Sequence, residues 1–381
     1  MQLRTLRLDA TGGGGALPLE LDSEQTLVLV FGAPGLMDRP GLLTDLARAF
    51  PRSKVLGCST AGEIFGTKVL DDSMVVAVAR FEATTLRSAA APVHAAEESF
   101  AAGEALGRQL AGEGLRGVHV LSDGLAVNGS ALVRGLSAVL PAGVVITGGL
   151  AGDGDRFVRT WVLHEGVPVV GHVTAVGFYG DAVQIGHGSA GGWDPFGPRR
   201  LVTRSKGNIL YELDGKPALE LYKQYLGERA EGLPATGLLF PLALSRPDAN
   251  GGESEDRRVV RTILAVDEAS QSLTFAGDIP TGAYAQLMKA QLDRLIEGAE
   301  QAASLASTAG EGPVLAIAIS CVGRRLVLRE RTEEEAEGVQ EALVAGAQIV
   351  GFYSYGELSP ISSGNCDLHN QTMTLTTIRE R

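Results

Sequence analysis

The 381-residue sequence predicts two related domains of mixed β-sheets faced by helices, in the α/β to α+β class. The order strand, strand, helix, strand, helix, strand, strand occurs over residues 73–163 and again over 259–378, as duplication and divergence would leave it. Strands that follow one another directly within that order argue against a purely parallel, doubly wound sheet. A third observation is local. A β-branched apolar run, a small or polar crossing, then Gly and a carboxylate recur in register at Gly62, Gly152 and Gly356.

The elements follow in chain order. Residues 1–25 read as an N-terminal lead containing a flexible glycine patch at 11–15, and 26–31 as a buried strand. A turn at 35–40 leads into a short helix near 42–50, with Leu42, Leu43, Leu46 and Phe50 on one face. A strand at 55–58 precedes a hairpin of 73–80 with 84–91. Helix 97–110, strand 118–121, helix 129–140 and strand 144–147 come next. Residues 157–163 and 167–177 form a second hairpin turning at Glu165-Gly166. Residues 187–195 read as a glycine-rich loop, 200–204 and 208–213 as paired strands, and 217–225 as a helix with Pro217 in its first turn. The domain boundary is placed near 215, giving 26–215 and 216–381.

In the second domain 246–258 is an exposed loop, since its Pro, Gly and alternating charges cannot build a core. Strands are expected at 259–266 and 272–275. Residues 283–304 form the clearest helix, with Tyr284, Leu287, Met288, Leu292, Leu295, Ile296 and Ala299 at spacings of three and four. A strand at 314–319, a helix at 331–345 with a glutamate-rich start, and strands at 349–353 and 371–378 close the chain.

Composition limits the function. Apolar residues make up 45% of the chain, enough to fill two cores, and the net charge of −12 opposes a nucleic-acid or anionic-membrane partner. The start lacks the apolar core of a secretory signal and no run is long enough to span a bilayer, so cytoplasm is the expected location. Cys58, Cys321 and Cys366 are too few for a disulfide scaffold and read as buried thiols.

The polar constellations lie at strand ends, where open sheets bind ligands. Glu63 and Glu357 each follow a Gly at a strand exit, with Ser59 and Thr60 beside the first. Asp123-Gly124 and Asn128 occupy a strand-to-helix crossing, where Asn128 also suits a helix cap. Arg324 or Arg325 can receive a carboxylate in a planar fork, and surface charge is the competing reading. Cys366 and His369, three apart, are too few for a zinc site, and nothing in the sequence sets them face to face as a nucleophile and base. A phosphate-cradling loop is absent, and Gly32-Ala33-Pro34-Gly35 is no dinucleotide fingerprint. The candidate ligand-binding residues are Ser59, Thr60, Gly62, Glu63, Asp123, Asn128, Gly152, Asp153, Arg324, Glu357, His369 and Asn370, with no catalytic or metal-binding residue assigned.

Six stretches in fixed order resemble one family. They are GCSTAGEI at 57–64, the Asp123-Gly124 pair, GGLAGD at 148–153, SCVGRR at 320–325, GFYSYGEL at 351–358 and CDLHNQTMTLT at 366–376. They resemble the FIST family, in which an amino-terminal FIST sensory domain precedes a FIST C domain, and the likeness covers residues 26–380. The resemblance implies a small-ligand sensor, with amino acids as proposed ligands and no enzymatic turnover. It also implies company with histidine kinases or other signalling proteins; because the chain ends at Arg381, the signal is expected to pass to a separate partner. No cofactor is expected in that reading. A haem-based nitric oxide sensor is the alternative, with His94, His119, His164, His172, His187 or His369 to reach the iron. A Cys366–His369 hydrolase and a structural or interaction protein are the others.

Overall fold

The computed structural model describes residues 1–9, 13–245, 258–361 and 364–381. Its helices face mixed sheets, as the sequence predicts, and the sheets repeat three times around one core. The first repeat runs β1 (Gln2–Asp9), β2 (Thr26–Gly32), α1 (Pro40–Ala49), β3 (Lys54–Ser59), the hairpin β4 (Glu63–Phe65) and β5 (Lys68–Leu70), then β6 (Ser73–Arg80). The second runs β7 (Thr85–Pro92), α2 (Ser99–Leu110), β8 (Leu115–Ser122), α3 (Gly129–Val139), β9 (Val145–Leu150), the hairpin β10 (Val162–His164) and β11 (Val167–Val169), then β12 (His172–Tyr179).

The third repeat opens with β13 (Val183–Ala190) and is then interrupted. The insertion holds β14 (Trp193–Lys206), β15 (Ile209–Leu213), β16 (Lys216–Pro217), α4 (Ala218–Leu226), β17 (Leu242–Ser245), β18 (Val259–Arg261), β19 (Ile263–Asp267), β20 (Ser272–Phe275) and β21 (Tyr284–Ala290). It forms a separate eight-stranded sheet. The repeat resumes with α5 (Leu292–Ala306), β22 (Val314–Cys321), α6 (Val322–Leu328), α7 (Thr332–Ala342), β23 (Ala347–Ser354), the hairpin β24 (Gly356–Pro360) and β25 (Cys366–His369), and β26 (Met373–Glu380).

In each repeat the last strand lies between the first and second, antiparallel to both, and the third is parallel to the second. Each hairpin leaves its own sheet. β4–β5 pairs with β23, β10–β11 with β3, and β24–β25 with β9, so the exchange is cyclic and completes three six-stranded sheets. The sheets are consequently shared across residue 215, which itself lies in the turn between β15 and β16.

Both faces of the central strands are buried, which explains their unbroken apolar runs. In β22, Leu315, Ile317 and Ile319 point to a core shared with Phe31, Phe178 and Phe352, while Val314, Ala316 and Ala318 point out to helices. The rings of Phe31 and Phe352 lie 4.8 Å apart, joining the first and third repeats. Each such side chain contributes about 1.5–3 kcal/mol through burial. Outside, Leu43 and Leu46 of α1 and Phe50 just after it cover the first sheet, α2 and α3 the second, and the alanine faces of α5 and α7 the third.

Several expectations are corrected. Residues 1–25 contribute β1, paired along its whole length with β6. Strands 73–80 and 85–92 belong to different sheets and form no hairpin. Residues 187–195 are mostly strand, because Gly186 and Gly188 let α5 approach: a Cβ at either would strike the Ala306 or Ala302 carbonyl. The long helix at 283–304 begins only at Leu292. Its first part is β21, where Ala285 and Leu287 alternate into the insertion core and both edges pair with β14 and β17. The stretch after Cys321 is helix α6. The loop expected at 246–258 lies outside the described residues but for Arg258, as does part of the glycine patch at 11–15.

Candidate ligand-binding cleft

The strand ends singled out in the sequence meet at one end of the three-sheet core. There a cleft of about 1620 Å³ opens between the core and the insertion. The first repeat contributes Ala61 and Asp71, the second Leu125 and residues 154–157, and the third α6 with Arg325, Leu326 and Val327. The opposite wall is apolar: Leu233, Pro234, Leu238, Leu239, Ile263 and Leu264 of the insertion. Leu125, Phe157, Leu239 and Leu264 are exposed large apolar side chains, and all four line this cleft.

Its polar floor is built by backbone geometry. Gly62 sits at φ +125°, and a Cβ there would collide with the Arg325 guanidinium. Glycine thus lets Arg325 lie across the strand exit, donating to the Ala61 carbonyl at 2.6 Å and in a fork to Asp71 at 2.9 and 2.7 Å. That fork holds the Asp71 carboxyl below its ordinary value. Asp153 shapes the rim. It accepts the backbone N–H groups of Phe157, Val158 and Arg159, each at 2.9 Å, together with the Tyr355 hydroxyl. Burial raises its carboxyl, but the Arg159 N–H, the Tyr355 hydroxyl and the Val158 and Phe157 N–H groups outweigh this and hold it low. Phe157, at φ +53°, is thereby set parallel to Tyr355, ring centroids 4.5 Å apart.

Behind the floor lie two matching carboxyl groups. Glu63 accepts from Thr60 Oγ1 at 2.5 Å and from the Ser73 backbone at 3.2 Å and hydroxyl at 2.6 Å. Glu357 accepts from Ser354 Oγ at 2.6 Å and from the Thr372 backbone at 3.3 Å and hydroxyl at 2.8 Å. Each fastens the root of an exchanged hairpin to the start of its repeat's last strand. Burial pushes Glu63 up to about 7 and Glu357 up to about 8, against the opposing pull of those hydrogen bonds.

Comparison with known proteins agrees with the motif order. Residues 26–216 match the FIST N domain and residues 218–360 the FIST C domain. The chain belongs to the FIST family. FIST domains are associated with sensory signal transduction and small-ligand binding. An uncharacterized protein of Mycobacterium tuberculosis H37Rv is 23% identical to this FIST chain over 261 residues, 67% of this chain and 66% of that protein. One of Methanocaldococcus jannaschii is 25% identical over 242 residues, 56% of this chain and 45% of that protein. The match thus spans less than two thirds of either relative. A crystal structure of cyanuric acid hydrolase from A. caulinodans aligns over 100% of this chain and 99% of that one, at 11% identity and a TM-score of 0.38, too distant to bear on reaction.

None of the candidate residues read from the FIST sequence lines the cleft; several stand directly behind it. Ser59 accepts the Trp161 N–H at 3.0 Å, and Gly152 packs on Ala61. Asp123 accepts from the N–H groups of Leu125 and Ala126 at 2.8 Å and Gly171 at 3.0 Å. Asn128 caps α3 through Ala131 N–H and ties it to Asp278 of the insertion, both at 2.9 Å. Arg324 is fully buried. It bonds Glu335 at 3.0 and 2.7 Å, Gly191 O at 2.5 Å and Leu295 O at 2.6 Å, leaving no fork for a ligand carboxylate. His369 faces Ser359 O at 3.0 Å and Ser189 Oγ at 3.4 Å, and burial holds its imidazole below the usual value. The buried Asn370 amide has no hydrogen-bond partner among the described residues.

Cys366 and His369 lie three apart on β25 and so project from opposite faces of the strand, which forms no nucleophile–base pair. Burial also pushes the Cys366 thiol well up, away from a reactive thiolate. Among the described residues no group of three or more His, Cys, Asp or Glu is placed to hold a metal ion, and no helix is long and apolar enough to cross a membrane. Sequence reasoning missed Arg156, Phe157 and the insertion wall. The signal for Phe157 was an apolar pair, Phe157-Val158, set between arginines, which reads equally well as the start of a strand.

Proposed function

We propose that this FIST chain is a cytoplasmic sensor that binds a small organic molecule, an amino acid or related metabolite, in the cleft beside the insertion. The observation that carries the reading is the cleft's position: every repeat supplies floor or rim, and the insertion supplies a facing apolar wall. Its rim also offers both charges. Arg156 and Asp155 are exposed and make no hydrogen bond or ion pair among the described residues, so a ligand carboxylate and ammonium each have a partner to meet. A calorimetric screen of amino acids and related metabolites tests this. A hit whose heat is lost in Leu264→Arg, which fills the wall with charge, supports the cleft; a hit unaffected by that change places binding elsewhere.

Output through a separate signalling protein, such as a histidine kinase, is part of the proposal. Ligand would bias the packing of the insertion against the core, which requires two states of different ligand affinity. Pull-down with and without saturating ligand checks it, and an unchanged partner affinity defeats the switch. The haem alternative fits this cleft poorly, because no histidine, cysteine or methionine lines it among the described residues. A Soret band that appears on haem addition and persists in Leu264→Arg would place haem at another site.

A further inference from the structure

The cleft's size and lining name a ligand class narrower than metabolites at large. Ligand pockets of drug-sized molecules run to about 300–1,000 Å³, and this one measures about 1620 Å³. A free amino acid of ordinary size would leave most of the insertion wall in contact with water. That wall is apolar along two separate segments, through Leu233, Leu238 and Leu239 and again through Ile263 and Leu264. Apolar side chains held exposed on both sides of one cleft mark a surface that awaits apolar cover.

One end of the cleft is different. Phe157 is held in a left-handed conformation by three backbone hydrogen bonds to Asp153, with its ring parallel to Tyr355 and 44% of its surface open. A bulky residue with positive φ is strained, and strain persists where the surroundings enforce it for a purpose. Here the enforced loop sets an open aromatic face beside the Arg156 guanidinium, which makes no hydrogen bond or ion pair among the described residues and reaches Asp71 only through its charge. Arg325, by contrast, is already engaged by Asp71 and Ala61. Arg156 is thus the cation next to that aromatic face with no side-chain hydrogen bond or ion pair among the described residues, and the acceptors of a carboxylate match its fork.

We infer that the ligand is an amphipathic acid, with a carboxylate at Arg156 and an extended aromatic or acyl body lying over Phe157 and along the insertion wall. This rests on the reading of the cleft as the ligand site. It adds that the apolar body is long and the head group anionic.

The probe is 11-(dansylamino)undecanoate, followed by fluorescence, with decanoate and decylamine as competitors. Saturable one-to-one binding is expected, displaced by decanoate and far less by decylamine. Arg156→Gln should weaken the probe about tenfold, the loss of one charge-assisted contact. Arg7→Gln, on β1 and outside the cleft, should leave affinity within about twofold, within the spread of a screened surface charge. Leu264→Glu should abolish binding. Decylamine competing as well as decanoate, or Arg156→Gln binding like wild type, would overturn the anionic head group. No saturable probe binding would overturn the class altogether. If the calorimetric screen still finds a small polar amino acid lost in Leu264→Arg, the cleft reading survives while this inference falls. If neither binds, both fall.

Discussion

The first and third repeats share a device at the hairpin root that the second lacks. In the neighbouring sheet Glu63 lies opposite Phe352 and Glu357 opposite Gly149; the corresponding place opposite Cys58 holds Val162. The last strand opens with Ser73 in the first repeat, just after Thr372 in the third, and with His172 in the second. Both halves of the buried clasp are therefore replaced in the second repeat. In exchange, residues 151–161 form a longer connection before the hairpin, and this carries Arg156 and Phe157 to the cleft, with Asp153 holding the turn from behind. Where the root is clasped the hairpin is fastened to its own last strand; where the clasp is given up the longer connection reaches the rim of the cleft.

The largest expected effect is on the scaffold side. Arg324→Met strips the fully buried Glu335 carboxyl of its cation and should cost about 3–5 kcal/mol in urea unfolding. A loss under about 1 kcal/mol would mean that the pair is not buried as described. Glu357→Ala strands the Ser354 and Thr372 groups and should cost about 2–3 kcal/mol. Glu357→Gln, which keeps the acceptors, should cost much less.

The clasps also set a pH dependence. An unfolded glutamate titrates near about 4.3, whereas burial lifts Glu63 to about 7 and Glu357 to about 8. The folded chain holds these protons more tightly than the unfolded chain does. Their contribution is complete below the unfolded value and is lost as pH rises through the folded ones, so their share of stability should fall between about pH 4.3 and 8. Unfolding curves across that range should flatten in the Glu63→Gln, Glu357→Gln double variant. A wild-type slope that the double variant leaves unchanged would remove the clasps as its source.

A graft sharpens the comparison. Val162→Glu alone buries a carboxyl without its donors and should cost about 2 kcal/mol. Adding His172→Ser supplies a hydroxyl at the matching strand start, and a favourable coupling of about 0.5–1.5 kcal/mol is expected from the double-mutant cycle. Strict additivity would show that the second repeat has lost more than two side chains. The smallest global effect should come from Asp153→Asn, about 1 kcal/mol or less, with amide exchange rising mainly at 154–159.

Much of the fold was legible because its central strands are buried on both faces. Runs such as those at 26–32, 314–321 and 347–354 read as strands from their apolar continuity alone. The repetition was legible in the motifs at Gly62, Gly152 and Gly356, all of which mark exits from the third strand of a repeat. The hairpin exchange was not, since pairing partners such as Glu357 and Gly149 are distant in sequence and no local pattern names them. At 284–290 Tyr284, Leu287 and Met288 satisfy a helical spacing while Ala285 and Leu287 satisfy a strand's, and tertiary pairing decided. For the site, polar residues at strand ends drew attention; Ser59, Glu63, Asp123, Arg324 and Glu357 are buried and hydrogen-bonded within the protein. Leu239 and Leu264, which look like core residues in sequence, line the cleft because the insertion folds back over the sheet ends.

The central claim is that ligand meets the rim of the second repeat and leaves the clasps of the other two untouched. Amide hydrogen exchange, with and without a saturating hit from the calorimetric screen, tests it most directly. Protection should appear at 154–159 and along α6 and 232–239, with 63–65, 73–75 and 354–360 unchanged. Protection confined to the two clasps, with none at 154–159, would contradict the account.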